Sequence, residues 1–191
     1  MKLQEGLDKF KTLILSQLEY GAKKYALSDT RESTDDIFDI HGKNWLFGTM
    51  DGYVLRFKNI ERERDLLKIA TYCYILWLKK GFFIKQDGLE DVLDTTVELK
   101  AKNFNLFQKR ITDLIQFWLE SGYLAMFENR TDEARLTLVR KFLSDWSKGT
   151  WKDITERSII AVYYCCYLVW FLKYAYSDTH DEDINNVNDG K

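Results

Sequence analysis

Apolar side chains recur along this chain at steps of three and four, the spacing that lines one face of a helix. Leu7, Phe10, Ile14, Leu18, Gly21 and Tyr25 share such a face and predict a helix over about residues 3 to 26. Leu66, Leu67, Ala70, Cys73 and Trp77 do the same over about 60 to 80, as do Ile159, Ile160, Tyr163, Cys166 and Trp170 over about 152 to 176. A further helix is predicted over about 107 to 128 and a short one over about 50 to 58. Proline is absent, which removes the strongest helix breaker and supports an all-α fold.

The pattern also repeats. The sequences HGKNWLFGTMDGY and FLSDWSKGTWKDI both contain W-x-x-G-T. One constant offset of 101 places Leu13, Ile14, Leu18, Glu19 and Gly21 on Leu114, Ile115, Leu119, Glu120 and Gly122, and carries Trp45, Gly48 and Thr49 onto Trp146, Gly149 and Thr150. Beyond the motif the offset is 93, and Glu63, Arg64, Cys73, Tyr74, Trp77 and Lys80 meet Glu156, Arg157, Cys166, Tyr167, Trp170 and Lys173. The expected architecture is an internally duplicated helical bundle with a pseudo-twofold four-helix core, because two amphipathic pairs bury their stripes best against each other. Residues 1–86 form helical unit one, 87–105 a crossover, 106–176 helical unit two, and 177–191 a disordered acidic tail. Within the motif, Trp anchors the connection, Gly permits a turn, and Thr49 or Thr150 caps the following helix with Asp51 or Asp153 in its first turn. A direct part in a ligand site is the other reading of the motif.

Hydrophobic residues make up 46% of the 191 and aromatics 15%, enough for a real core. Lys plus Arg numbers 28 against 30 for Asp plus Glu, so no bulk positive field exists and nucleic acid is not an expected partner. Cys73, Cys165 and Cys166 lie in apolar helical runs without C-x-x-C spacing, as buried free thiols of a reducing compartment would. MKLQEGLDKFKT carries charge where an export signal needs an apolar stretch, and IIAVYYCCYLVWFL is shorter than the ~20 residues that span a bilayer. A cytoplasmic protein with no membrane span is expected.

Polar residues present only in unit one are the better candidates for specific chemistry. They are Lys23, Lys24 and Tyr25, then His41, Lys43 and Asn44, then Arg56, then Glu61, Asp65 and Lys68. Glu61 and Asp65 are four apart, within reach of one divalent cation if both sit on a helix. The alternative makes Glu61, Glu63 and Asp65 solvated first-turn acids interleaved with Arg62 and Arg64. Glu63 lies one turn before Leu66 and Leu67 on the core-facing side, and Glu156 lies similarly before Ile159 and Ile160, so both invite buried partners. Glu19 and Glu120, kept in both units, are candidates to share a cation or an arginine with them.

The order EYGAKKYA (19–26), KNWLFG (43–48), YVLRF (53–57) and ERDLLKIATYCYILW (63–77) resembles the MazG-like and nucleotide-modification-associated helical proteins of phages and bacteria, over about residues 12 to 80. In that group, acids from two antiparallel helices bind magnesium against the phosphates of a nucleoside triphosphate, and water attack releases pyrophosphate. The resemblance implies Asp65, Glu61 and Glu63 as the catalytic acids and Glu19, Glu61, Glu63 and Asp65 as magnesium ligands. It also implies Lys23, Lys24 and Arg56 as phosphate contacts, and Asn44 and Lys68, from the residues peculiar to unit one, join them as candidate contacts to a nucleotide or other small phosphate-bearing ligand. Glu19 is followed three later by Ala22, where the group has E-x-x-E, and the later helix has E-x-x-x-D where the group has E-x-x-D.

Three functions follow from these residues. One is a nucleotide-handling protein, a magnesium-dependent nucleoside triphosphate pyrophosphohydrolase, in which the metal and basic groups stabilise charge on a phosphoryl oxygen. Another is a non-catalytic helical interaction or ligand-sequestering protein, with a second copy of the chain or another protein among its partners. A peripheral membrane protein using the aromatic helix of unit two is a third. Acids clustered within reach of solvent favour the enzyme, and dispersed acids favour the binding protein.

Overall fold

In a computed structural model, the run IIAVYYCCYLVWF is buried at every position from Ile159 to Phe171. A helix apolar on all sides must sit at the centre of its protein, and this one does. The structure describes residues 3–25, 33–82 and 97–175. Among them the regular secondary structure is helical, with no strand. The helices are α1 (Leu3–Tyr25), α2 (Ser33–Ile60), α3 (Glu63–Lys79), α4 (Val97–Glu120), α5 (Ala125–Glu128), α6 (Asp132–Lys148) and α7 (Glu156–Tyr174). A single 3-10 turn, Trp151–Asp153, lies between the last two. The fold is therefore all-α, and among the described residues no helix is long and apolar enough to cross a membrane.

Helices α3 and α7 form the central pair. Around it α2 and α6 pack against each other and against their following helices, while α1 and α4 cover the remaining sides. Phe10 from α1, Phe107 from α4 and Tyr163 from α7 meet with ring centroids 5.5 Å apart in each contact to Tyr163, both edge to face. Gly6 lets α1 come this close, because a Cβ there would lie 2.4 Å from the Phe171 ring and 2.9 Å from the Tyr167 hydroxyl. Cys73, Cys165 and Cys166 are free and buried, and burial pushes all three thiols up, Cys165 to about 12.

The central pair is antiparallel and closed at both ends by one kind of bond. The Trp170 indole N–H near the end of α7 donates to Glu63 at the start of α3, at 2.7 Å. The Trp77 indole N–H near the end of α3 donates to Glu156 at the start of α7, at 2.9 Å. Each aligned Glu–Trp pair of the sequence is thus exchanged between the two helices.

Several boundaries differ from the sequence reading. The W-x-x-G-T copies adopt different structures. Trp45, Gly48 and Thr49 lie inside α2, so Thr49 caps nothing, Gly48 makes no turn, and the short helix expected over 50–58 is only the end of α2. The break in α2 comes earlier, at Gly42, whose φ of 67° suits glycine. In the second copy Gly149 does end α6 and Thr150 opens the 3-10 turn, where the Asp153 carboxylate accepts from the Thr150 N–H at 2.6 Å and from its hydroxyl at 2.9 Å. These bonds hold the Asp153 carboxyl below the usual range. Helix α7 starts later than expected, capped by Thr155, whose hydroxyl accepts from the Ser158 N–H at 3.2 Å. Helix α4 begins at Val97, inside the expected crossover, and the tail from 177 to 191 falls outside the described residues. Helix α6 fills the stretch between the helices expected over 107–128 and 152–176, where the sequence reading places no helix.

Candidate functional site

Asp65 shares a face of α3 with Ile69 and Cys73, both fully buried, and it is itself 0% exposed. Arg56, near the end of α2, reaches across the two-residue link between the helices and meets it with two parallel bonds. Its Nε lies 2.8 Å from Oδ2, and its Nη2 donates to Oδ1. The fork-to-fork geometry uses both carboxylate oxygens. The hydrogen bond that Arg56 donates to Asp65 raises the guanidinium further above its already high range, and the guanidinium also sits 4.9 Å over the Tyr53 ring. The picture of Asp65 as a solvated first-turn acid is thereby corrected: one face of α3 carries it into the core, and Arg56 meets it there from the surface.

The neighbouring acids have partners of their own. Glu63 is half-buried and accepts from Trp170. Glu61 is exposed, with φ at +47°, and its carboxylate accepts from Lys173 at 2.7 Å while its carbonyl accepts from the Tyr174 hydroxyl at 2.5 Å. Burial, with the charges of Glu61, Glu63 and Asp65 adding to it, raises the Tyr174 phenol. Each of the three acids faces a different donor. Glu19 lies on an exposed part of α1, and Lys68 is half-buried on α3. Lys23 and Lys24 lie in the last turns of α1, but their side chains, like that of His41, fall outside the described residues. Among the described residues no three His, Cys, Asp or Glu side chains are grouped to hold a metal ion.

The remaining candidate, Asn44, belongs to a different place. Asn44, Phe47, Gly48 and Asp51 form one face of α2, and Arg140, Leu143, Ser144, Ser147 and Lys148 form the facing side of α6. Between them lies an open cleft of about 320 Å³. Its apolar side is Phe47 and Leu143, and Phe47 rests against Trp146 with ring centroids 5.5 Å apart. At one edge Arg140 pairs with Asp51, its Nε 2.7 Å from Oδ1 and its Nη2 3.2 Å from Oδ2. The two copies of W-x-x-G-T therefore meet here, the first supplying Gly48 and the second Ser147 and Lys148.

The chain matches no family model, no curated protein and no solved structure. The site must be argued from its own residues. Lys43, one position before Asn44, turns away from the cleft and donates to the carbonyl of Trp146 at 2.9 Å and to that of Gly149, so it neutralises the C-terminal end of α6. Sequence reasoning missed the cleft because its two walls lie about a hundred residues apart. It named Asp65 but could also have found its burial, since Asp65 stands four and eight positions before Ile69 and Cys73 on an apolar stripe.

Proposed function

We propose that this protein is a non-catalytic helical interaction or ligand-sequestering protein, assembled from two related helical halves. The observation that carries the reading is the closed Arg56–Asp65 pair. A carboxylate with no exposed surface and both oxygens engaged by a guanidinium would have to break that pair to reach a metal ion or water. Separating a buried pair leaves an uncompensated charge and is strongly unfavourable. Glu63 and Glu61 point to Trp170 and Lys173 instead. As placed, this donor set does not fit the magnesium site that the resemblance implies. The exchanged Glu–Trp bonds between α3 and α7 support the two related halves, since a twofold relation between the helices would produce that reciprocity.

The test is a panel of ribo- and deoxyribonucleoside triphosphates incubated with magnesium and scored for released pyrophosphate. The expected result is no release above the protein-free control. Turnover that disappears in Asp65→Asn, with the variant still folded by circular dichroism, would restore the pyrophosphohydrolase and overturn this proposal.

A further inference from the structure

We infer that the cleft between α2 and α6 is a binding site for a small organic oxyanion, a compact apolar body carrying one carboxylate or phosphate head. The volume of about 320 Å³ is at the lower end of the range for small-molecule clefts, so the ligand is small. Its walls divide by chemistry: Phe47 and Leu143 offer apolar surface, while Asn44, Ser144 and Ser147 offer an amide and two hydroxyls.

The charge is set by three groups. Asp51 and Arg140 neutralise each other through their paired bonds, which leaves the Lys148 ammonium as the net charge of the lining. Lys148 is exposed and has no hydrogen-bond or ion-pair partner among the described residues. A lysine in the last turn of a helix ordinarily serves the free carbonyls there. On α6 that task is taken by Lys43, which bonds the carbonyls of Trp146 and Gly149. Lys148 is therefore left to the cleft, one turn beyond Ser144 on the same face of the helix.

Gly48 supplies an independent reason. It lies inside α2, where glycine is less favourable than alanine. Its φ is not positive, and a Cβ added there would meet nothing within 4 Å, so neither the backbone nor the packing requires glycine. Its bare backbone leaves the cleft open. Gly52, one turn later, has the same open surroundings but does not line the cleft, and it serves as the control.

The experiment is a heteronuclear NMR titration of the full chain with benzoate and with phenyl phosphate, which share an apolar body and differ in head group, and with benzyl alcohol as the uncharged counterpart. Saturable shifts centred on the amides of Asn44, Gly48, Ser144 and Ser147 are expected for at least one oxyanion, and not for benzyl alcohol. Whichever anion binds identifies the head group. Lys148→Gln should weaken that binding at least tenfold. Gly48→Leu should abolish it without lowering the melting temperature, and Gly52→Ala should leave it unchanged. Absence of saturable shifts with both anions, equal shifts with benzyl alcohol, or wild-type affinity in Lys148→Gln and Gly48→Leu would each overturn the inference. The titration contains neither nucleoside triphosphate nor magnesium, so its outcome is independent of the pyrophosphate assay.

Discussion

Arg56 shows how unequal the two ends of one ion pair can be. Its side chain is 43% exposed, whereas that of Asp65 is 0%. Water can solvate the guanidinium if the carboxylate is removed, but among the described residues no ion-pair partner other than Arg56 balances the carboxylate if the guanidinium is removed. Arg56→Met should therefore destabilise the fold by about 2–3 kcal/mol, below the ~3–5 kcal/mol of a pair buried at both ends. Urea denaturation followed by tryptophan fluorescence would measure it. A loss under about 0.5 kcal/mol would mean that Asp65 finds water or another donor once Arg56 is gone. The same asymmetry explains why Asp65 is hard to read from spacing to its acidic neighbours. Counting from Glu61 places it in an acidic helix start, while counting towards Ile69 and Cys73 places it in the core, and the second count is the one that the packing obeys.

At the level of elements, the antiparallel α3–α7 pair makes two matched predictions. Trp77→Phe and Trp170→Phe each keep a large ring but delete an indole N–H that bonds a carboxylate, so each should cost roughly 1–3 kcal/mol. The two bonds lie at opposite ends of the pair, about 21 Å apart along α7. Their costs should add to within about 0.5 kcal/mol in the double variant, and a denaturation cycle checks this. Glu156 adds a pH dependence. Burial pushes its carboxyl up, but bonds from Arg110 at 3.0 and 2.6 Å and from Trp77 outweigh it and hold the group below its ordinary value. A depressed carboxyl contributes stability that is complete above its unfolded value of about 4.3 and is lost as pH falls through the folded value. The urea midpoint of Glu156→Gln should thus fall less steeply than that of wild type between about pH 5 and pH 2; parallel curves would remove Glu156 from the acid response. The sequence showed α1, α3 and α7 well because their apolar stripes are long. It hid α6, although Leu136, Val139, Leu143 and Trp146 recur at steps of three and four, because aligning this stretch with the polar residues before Trp45 made it look like a connection. The cleft was hidden more deeply, since no local pattern reveals that residues 44–51 face residues 140–148.

Across the whole molecule, the most buried helix is also the last of the described helices in chain order. Helix α3 presents Leu66, Leu67, Ile69, Ala70, Cys73, Leu76 and Trp77 to partners that include α7, which begins only at Glu156. About 95 residues separate the end of α3 from the end of α7, and at roughly 5–20 residues per second a ribosome takes about 5–20 s to make them. Throughout that interval the nascent chain carries α3 with the side that packs on α7 uncovered, although α1 and α2 are already made, and Glu63 without its indole partner. That surface is thus exposed until α7 has been made, and codon changes that slow elongation between residues 80 and 174 lengthen the time during which it can aggregate.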